Sequence, residues 1–234
     1  MRYEALLFDI DGTLLDFSKA EAENIFDTLR ASGIDPTSEM ASAYSDINDS
    51  LWKLLEKGEI DRETLKYRRF ELLFERYGIT ADAKKTSATY IALLEEKAYL
   101  YDGAIELCKY LSDRADAYIV TNGTLSVQES RLKKSGLLPY FKDVFISEKI
   151  GYAKPDPRFF EYAAERIPNF PKEKAVIIGD SLSSDIAGGI AYGIDTVWYS
   201  PDNKPVPAEL ADKITFVARS YAEIKDFLCD GGKK

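Results

Sequence analysis

The chain has 234 residues, carries a formal net charge of −9 from 31 Lys and Arg against 40 Asp and Glu, and contains no histidine. The missing imidazole excludes a Ser-His-Asp triad, a histidine-dependent zinc site and a phosphohistidine intermediate. Two cysteines, Cys108 and Cys229, cannot form a four-thiolate zinc site or a disulfide scaffold. An acidic chain is also a poor general binder of the nucleic-acid backbone. Acid–base chemistry therefore falls to Asp, Glu, Lys, Tyr or Cys.

The composition, 45% hydrophobic and 30% charged, is typical of a globular chain. The first apolar run, Ala5–Phe8, is far too short for a signal peptide. The longest uncharged run, residues 117–128, is too short and too polar to cross a membrane. We therefore expect a cytoplasmic protein with no membrane and no nucleic-acid partner, present as a monomer or a weak homodimer.

In chain order, the first predicted element is a buried strand over Tyr3–Asp9 that ends in an acidic turn. From Ser18 to Tyr99 the apolar residues recur with helical spacing, and no convincing strand is present. Turn-forming residues at 33–36, 57–58 and 77–78 divide this stretch into several helices. The pattern predicts an all-helical insert of roughly eighty residues, a plausible size for a small unit.

After residue 103 the predicted elements alternate between strands and helices, which favours a parallel sheet with helices on both faces. We therefore predict an α/β fold, a Rossmann-like three-layer sandwich with a mostly parallel sheet, in residues 1–16 and 100–234. The inserted all-helical domain covers residues 17–99. The predicted strands after the insert are Asp116–Thr121, Val144–Ser147, Ala175–Ile178 and Ile194–Tyr199, and the predicted helices are Ala104–Arg114, Leu125–Ser135, Pro157–Arg166, Ser184–Tyr192 and Tyr221–Leu228.

Polar residues follow four of these strands, where ligands bind in open parallel sheets. They are Asp-Ile-Asp-Gly-Thr at 9–13, Thr-Asn-Gly at 121–123, Lys-Pro-Asp-Pro at 154–157, and Gly-Asp-Ser at 179–181 followed by Asp185. Each motif alone is equally compatible with a turn or a helix cap. Together they place several carboxylates at one edge, where they repel one another unless a cation lies among them.

In their order and spacing, these four motifs resemble those of the haloacid dehalogenase superfamily, in its phosphohydrolase branch. The helical insert after the first motif resembles the C1-type cap of that family, so the resemblance covers essentially the whole chain. It implies that Asp9 is a nucleophile that forms an aspartyl phosphate. It also implies that Asp11 is the general acid and base, and that Lys154 neutralises charge on the phosphate and on Asp9.

The resemblance further implies a Mg²⁺ cofactor and a small phosphomonoester substrate. The metal ligands would be the Asp9 carboxylate, the Asp11 backbone carbonyl and Asp180, with Asp185 either an outer ligand or a residue that orients Lys154. The phosphoryl oxygens would be held by the Thr121 hydroxyl, the Asn122 backbone N–H and Lys154.

Several functions remain open at this point. A metal-independent 2-haloacid dehalogenase would also use Asp9, but that branch lacks the second acid, so Asp11 disfavours it. A phosphomutase would return the phosphoryl group to its substrate, and the cap would decide this outcome. A phospho-acceptor switch would carry its acceptor later in the chain and would have no helical insert.

Within the family, the motif Gly-Asp-Ser-Leu-Ser-Ser-Asp-Ile at 179–186, the Asn122-Gly123 form of the second motif and the cap length most resemble the pyrimidine-nucleotide 5′-nucleotidases. Phosphatases of sugar phosphates, phosphoglycolate and N-acylneuraminate 9-phosphate remain alternatives. Two weaker signals are interpreted structurally. The Cys-x5-Arg pair Cys108 and Arg114 lies in an amphipathic helix and not in a phosphate loop, and the basic run at 66–69 is expected to be a solvated helix face.

Overall fold

The computed structural model describes Met1–Cys229 and contains one six-stranded sheet in those residues. The strands are β1 (Ala5–Phe8), β2 (Asp116–Thr121), β3 (Asp143–Ile146), β4 (Ala175–Gly179), β5 (Asp195–Tyr199) and β6 (Phe216–Ala218). Their order is β3-β2-β1-β4-β5-β6, and all five pairings are parallel. The predicted α/β class is confirmed. β6 was not predicted, because an edge strand of three residues is too short to produce a periodic pattern.

Ten α-helices accompany this sheet in the part of the chain that the structure describes. They are α1 (Phe17–Ala31), α2 (Ser38–Glu56), α3 (Arg62–Tyr77), α4 (Ala83–Leu94), α5 (Ala104–Ser112), α6 (Leu125–Ser135), α7 (Ser147–Ile150), α8 (Pro157–Arg166), α9 (Ala187–Tyr192) and α10 (Tyr221–Cys229). A π-helical turn, Leu182–Ile186, precedes α9. The helix predicted over Ser184–Tyr192 is therefore a π-helical turn that continues into a short α-helix.

The chain divides into two compact units. The first, here called the α/β unit, contains Met1–Asp16, Leu100–Leu125 and the described residues from Ser135 to Cys229. The second, here called the helical unit, contains Phe17–Tyr99 and also Ser126–Lys134. The prediction placed this last segment in the α/β domain. The predicted α/β domain also ran to residue 234, and its residues 230–234 lie outside the described residues.

The segment Ser126–Lys134 belongs to the helical unit because α6 packs against it. Val127 is buried in the apolar cluster of that unit. The Ser130 hydroxyl donates to the Glu95 carbonyl at 2.9 Å, and the Arg131 Nε donates to the Lys97 carbonyl at 3.0 Å. The sequence shows that α6 is a helix, but helical periodicity does not identify the unit against which its apolar face packs.

The register of the sheet places the predicted motifs at one edge of the α/β unit. All four residues of β1 are buried, as expected for a central parallel strand covered on both faces. Phe8, the last residue of β1, lies opposite Ile119 of β2 and Ile178 of β4. The carboxyl ends of these three strands therefore meet, and the residues that follow them share one edge.

The helical unit has an aromatic core. The rings of Tyr44, Phe70 and Tyr90 lie in contact, with centroid separations of 5.3–5.6 Å. Helices α2, α3 and α4 each begin with a side-chain oxygen that accepts a hydrogen bond from a backbone N–H of the first turn. The capping residues are Thr37, Asp61 and Asp82.

A polar network is buried beside this aromatic core. The Glu21 carboxylate accepts hydrogen bonds from Asn48 Nδ2 at 2.7 Å and from Ser45 Oγ at 2.8 Å. The Arg69 guanidinium donates to Asn48 Oδ1 at 3.2 Å and lies 4.3 Å from the centre of the Tyr90 ring. Arg69 is only 5% exposed. The expectation of a solvated face is therefore wrong for this member of the basic run at 66–69.

No helix in Met1–Cys229 combines the length and the apolar character that crossing a membrane requires.

Candidate active site

Asp9 directly follows β1 at the edge where three strand ends meet. Its backbone N–H continues the sheet by donating to the Ile178 carbonyl at 2.9 Å, so the residue is held as firmly as a strand residue. Its side chain is largely buried. Asp9 Oδ1 accepts a hydrogen bond of 2.7 Å from Lys154 Nζ. The structure therefore brings two of the predicted catalytic residues into direct contact.

Lys154 is fully buried, and its ammonium is hydrogen-bonded to three acceptors. Its Nζ donates to Asp9 Oδ1 at 2.7 Å, to Asp185 Oδ1 at 2.6 Å and to the Val120 carbonyl at 2.6 Å. Burial disfavours the ammonium, but the charges of Asp185 and Asp9 outweigh burial and raise the pKa of Lys154. The side chain therefore supplies a fixed positive charge at the ends of β1 and β2.

Three buried or half-buried carboxylates surround this single cation. Asp9, Asp180 and Asp185 each offer an oxygen, and these oxygens lie within 4.8 Å of one another. Burial, followed by the charge of Asp185, raises the pKa of Asp180 to about 7. Burial also raises the pKa of Asp9 well above its ordinary range, although Lys154 opposes the shift. When all three carboxylates are ionised, the cluster carries more negative than positive charge. A divalent cation would relieve the repulsion that contributes to these raised pKa values.

The donor set fits Mg²⁺, which prefers oxygen ligands. Asp9 and Asp180 present the carboxylates predicted to ligate the metal. Asp185 is already occupied, because its Oδ1 accepts from Lys154 Nζ and its Oδ2 accepts from the Ser181 N–H at 3.1 Å. Of the two roles left open for Asp185, these contacts favour orientation of Lys154 over direct ligation of the metal.

The turn after β1 carries Asp11 close to the same cluster. Its charge contributes to the raised pKa values of Asp9 and Asp180, as expected for a neighbouring carboxylate. Gly12 has a φ of +80°, and a Cβ at this position would lie 2.4 Å from Asp180 Oδ2. Only glycine therefore permits Asp180 to approach the turn so closely.

The second motif contacts Lys154 in a way that the sequence analysis did not predict. The Asn122 side chain donates from Nδ2 to the Lys154 carbonyl at 2.7 Å and accepts the Lys154 N–H at Oδ1 at 2.8 Å. One amide therefore pairs with both backbone groups of the lysine. The Thr121 hydroxyl accepts the Gly123 N–H at 3.2 Å. The predicted contacts of Thr121 and Asn122 with phosphate remain predictions.

Trp198 also contacts the site, and the sequence analysis did not name it as a site residue. Its indole Nε1 donates to the Asp180 carbonyl at 2.9 Å, and its backbone pairs with Gly179 in the sheet. The sequence feature that could have predicted this contact is a tryptophan in a buried strand, because a buried indole N–H requires an acceptor. Gly179 shows a second close approach, since a Cβ there would lie 2.2 Å from Asp185 Oδ2.

Comparison with known proteins agrees with this geometry. A family model described as haloacid dehalogenase-like hydrolase matches residues 3–193. The chain is 42% identical to the HAD-hydrolase YfnB of Bacillus subtilis, over 97% of this chain and 96% of the relative. The crystal structure of YfnB bound to magnesium superimposes with a TM-score of 0.92, covering 98% of this chain and 100% of that chain.

Two further relatives are named as nucleotidases. The chain is 38% identical to pyrimidine 5′-nucleotidase PynA of Streptococcus pneumoniae, over 97% of this chain and 96% of the relative. It is 31% identical to pyrimidine 5′-nucleotidase YjjG of Escherichia coli, over 98% of this chain and 99% of the relative. These names agree with the subgroup that the motifs resemble. Given the strand-end motifs, their convergence at one edge and these matches over nearly the whole chain, the protein belongs to the haloacid dehalogenase-like hydrolases and is an enzyme of that family.

Proposed function

We propose that the protein is a Mg²⁺-dependent phosphomonoester hydrolase that acts on pyrimidine nucleoside 5′-monophosphates through an aspartyl phosphate on Asp9. The observation that carries this proposal is the buried cluster in which one ammonium, Lys154, faces three carboxylates. Such an excess of negative charge is costly in a folded protein and fits a site that receives a cation.

The family resemblance implies a chemical role for each residue, and the position of each residue supports that role. Asp9 would attack phosphorus with a carboxylate oxygen, and the bond from phosphorus to the leaving oxygen would break. Asp11, two residues on, would donate a proton to that oxygen and later take one from the hydrolytic water. Lys154 Nζ, 2.7 Å from Asp9 Oδ1, would offset repulsion between the nucleophile and the phosphate.

Neighbouring residues would hold the phosphoryl group, the Lys154 side chain and the metal in place. Thr121 and the backbone of Asn122 would hold the phosphoryl oxygens, and the Asn122 side chain would keep Lys154 in place. Asp9, Asp180 and the Asp11 carbonyl would hold Mg²⁺, which when bound supplies positive charge to the phosphoryl group. Asp185 would orient Lys154.

The substrate class is inferred from the relatives. PynA and YjjG are both named pyrimidine 5′-nucleotidases and both match nearly the full chain. We infer that the helical unit is the cap implied by the family resemblance, with residues 17–99 as its inserted segment. Catalysis by carboxylates and one lysine also agrees with a chain that contains no histidine.

Product analysis over a panel of substrates, which measures released phosphate, released halide and isomerised sugar phosphate, tests this proposal. The panel should contain dUMP, dTMP, UMP, sugar phosphates, phosphoglycolate and a 2-haloacid, each with Mg²⁺ and with EDTA. We expect Mg²⁺-dependent phosphate release, fastest from the pyrimidine nucleotides. Halide release in EDTA without phosphate release would instead establish a dehalogenase, and isomerised sugar phosphate would establish a mutase.

A trapping experiment tests the covalent step separately. Acid quenching during turnover should yield a phosphate adduct on the peptide that contains Asp9. The Asp11→Asn variant should accumulate this adduct from a substrate with a good leaving group, because it lacks the base that activates the hydrolytic water. The Asp9→Asn variant should carry no adduct.

A further inference from the structure

The C-terminal helix α10 contacts the turn that follows β1. The hydroxyl of Tyr221, the first residue of α10, donates to the backbone carbonyl of Thr13 with an O···O distance of 2.7 Å. The two residues are 208 positions apart in the chain. The matched part of the family model ends at residue 193, so Tyr221 lies beyond it and belongs to none of the four strand-end motifs.

The Thr13 carbonyl is buried and needs a hydrogen-bond partner. Thr13 and Leu14 are both fully buried, and a buried carbonyl without a partner costs free energy. The neighbouring Leu14 carbonyl accepts from the Tyr101 N–H at 3.1 Å. The Tyr221 hydroxyl donates a hydrogen bond to the Thr13 carbonyl in the same way. Two separate segments of the α/β unit, at residues 101 and 221, therefore each bind one carbonyl of the turn.

This turn holds the groups on which the proposed reaction depends. It carries Asp11 and begins directly after Asp9. The Thr13 hydroxyl lies 3.5 Å from Asp180 Oδ1, at the limit of a hydrogen bond. A small displacement of the Thr13 peptide would therefore shift both the Asp11 carboxyl and the Asp11 carbonyl relative to Asp180. Misplacement of a catalytic group by a fraction of an ångström is enough to slow a reaction.

Tyr221 is itself held firmly. Its ring stacks on Tyr199, with centroids 5.2 Å apart and planes inclined by 16°. The start of α10 is capped reciprocally, because Ser220 Oγ accepts the Glu223 N–H and Glu223 Oε2 accepts the Arg219 N–H. Burial raises the pKa of the Tyr221 hydroxyl, which therefore remains a donor at neutral pH.

We propose that Tyr221 is a positioning residue whose hydroxyl fixes the catalytic turn through the Thr13 carbonyl. Its effect on turnover rests on the proposed phosphatase activity. Its effect on the turn does not, because order in the turn can be measured without substrate.

The test compares Tyr221→Phe with Tyr3→Phe. Each variant removes one partly buried, hydrogen-bonded tyrosine hydroxyl from the α/β unit and keeps the ring. The Tyr3 hydroxyl donates to Asp195 Oδ2 at 2.5 Å. Tyr3 precedes the first residue of β1 by two positions and Asp195 begins β5, so both residues lie near the amino ends of strands, away from the site. Tyr3→Phe therefore controls for the loss of stability that accompanies any such deletion.

For Tyr221→Phe we expect kcat to fall about tenfold with KM changed less than about twofold. We also expect the Mg²⁺ dissociation constant from calorimetry to rise about threefold, and amide hydrogen exchange at residues 11–15 to accelerate about tenfold. Tyr3→Phe should change none of these three quantities.

Three outcomes would overturn the proposal. Tyr221→Phe could lose stability yet keep wild-type kcat, Mg²⁺ affinity and exchange in the turn. Tyr3→Phe could show the same losses as Tyr221→Phe. Tyr221→Phe could also fail to fold while Tyr3→Phe folds, which would make the bond purely structural. A wild-type chain without phosphatase activity would refute the proposed function alone, because Mg²⁺ binding and hydrogen exchange would still report on Tyr221.

Discussion

The α/β unit and the helical unit both bury charged side chains, but the buried charges are balanced differently in the two units. In the α/β unit Lys154 is in direct contact with Asp9 and Asp185, and Asp180 lies beside them. One cation therefore faces three carboxylates. In the helical unit one anion and one cation, Glu21 and Arg69, are each hydrogen-bonded to the neutral side chain of Asn48.

We propose that this difference separates a functional cluster from a structural one. The network in the helical unit contains one charge of each sign, and neutral donors and acceptors pair with both charges. Such a network can be stable without a ligand. The cluster in the α/β unit contains an excess of negative charge that packing alone does not explain. Charge balance, rather than burial, therefore distinguishes the two, and the following experiments test that distinction.

The largest effect is expected from Asp9→Asn. The amide cannot act as a nucleophile, so phosphate release should fall by roughly 10⁴-fold or more. The variant should fold, because the amide keeps the shape of the side chain. Asp116→Asn, at the exposed start of the neighbouring strand β2, is the matched control and should keep full activity. Substantial phosphate release by purified Asp9→Asn would remove Asp9 from its assigned role.

Deletion of the buried cation in each unit tests the comparison directly. Lys154→Met should cost about 3–5 kcal/mol of unfolding free energy in EDTA, because it leaves buried carboxylates without a partner. Arg69→Met should cost less, about 1–3 kcal/mol, because its side-chain acceptor Asn48 is neutral and Glu21 keeps its hydrogen bonds to Asn48 and Ser45. Urea unfolding gives both values. Mg²⁺ should restore part of the loss in Lys154→Met and none in Arg69→Met, and equal behaviour of the two variants would contradict the distinction.

Removal of the metal should affect the stability of the wild-type chain. Binding to the folded state alone adds about 2.7 kcal/mol when free Mg²⁺ is about 100-fold above its dissociation constant. We expect EDTA to abolish this gain in unfolding free energy. The Asp180→Asn variant should lose most of the gain even when Mg²⁺ is present. Asp212→Asn, at an exposed position of the α/β unit, should keep it. Identical unfolding of the wild-type chain in Mg²⁺ and in EDTA would count against a metal in the cluster.

The smallest effect is expected in the helical unit, as a pH dependence from Glu21. Burial raises the pKa of Glu21 above its ordinary value of 4.5, so the folded state favours the protonated carboxyl. Stability should therefore fall as pH rises through the folded pKa and recover as pH is lowered. Glu21→Gln carries no titrating group and should lack this component. Wild-type and Glu21→Gln stabilities that run parallel between about pH 5 and pH 8 would show that the shift is absent.

The site could be predicted from sequence to the extent that local motifs follow parallel strands. Asp9 and Asp180 directly follow β1 and β4, Thr121 is the last residue of β2, and parallel register brings these strand ends together. Lys154 lies in a loop, yet its side chain reaches the Val120 carbonyl of β2. The residue types at these positions were sufficient to predict an anionic edge that holds a lysine.

Contacts between distant segments could not be predicted in this way. Tyr221 and Trp198 act on the site through single hydrogen bonds to backbone carbonyls, and no local pattern identifies their acceptors. Arg69 lies in a run of charged residues that resembles a solvated face, and only packing of three helices shows that it is buried. Helical periodicity likewise predicted α6 without assigning it to a unit.

The assignment of Ser126–Lys134 to the helical unit has a consequence for domain exchange between relatives. A swap that transplants residues 17–99 alone would leave behind Val127, which packs in the apolar core of that unit, and Arg131, which holds the Lys97 carbonyl. The transplanted helices would then pack against the recipient's own helix at this position, whose side chains were not selected to fill this core or to bond the Lys97 carbonyl. Chimeras intended to transfer substrate preference should therefore carry two segments of the donor chain, the insert and the helix that begins four residues after Thr121.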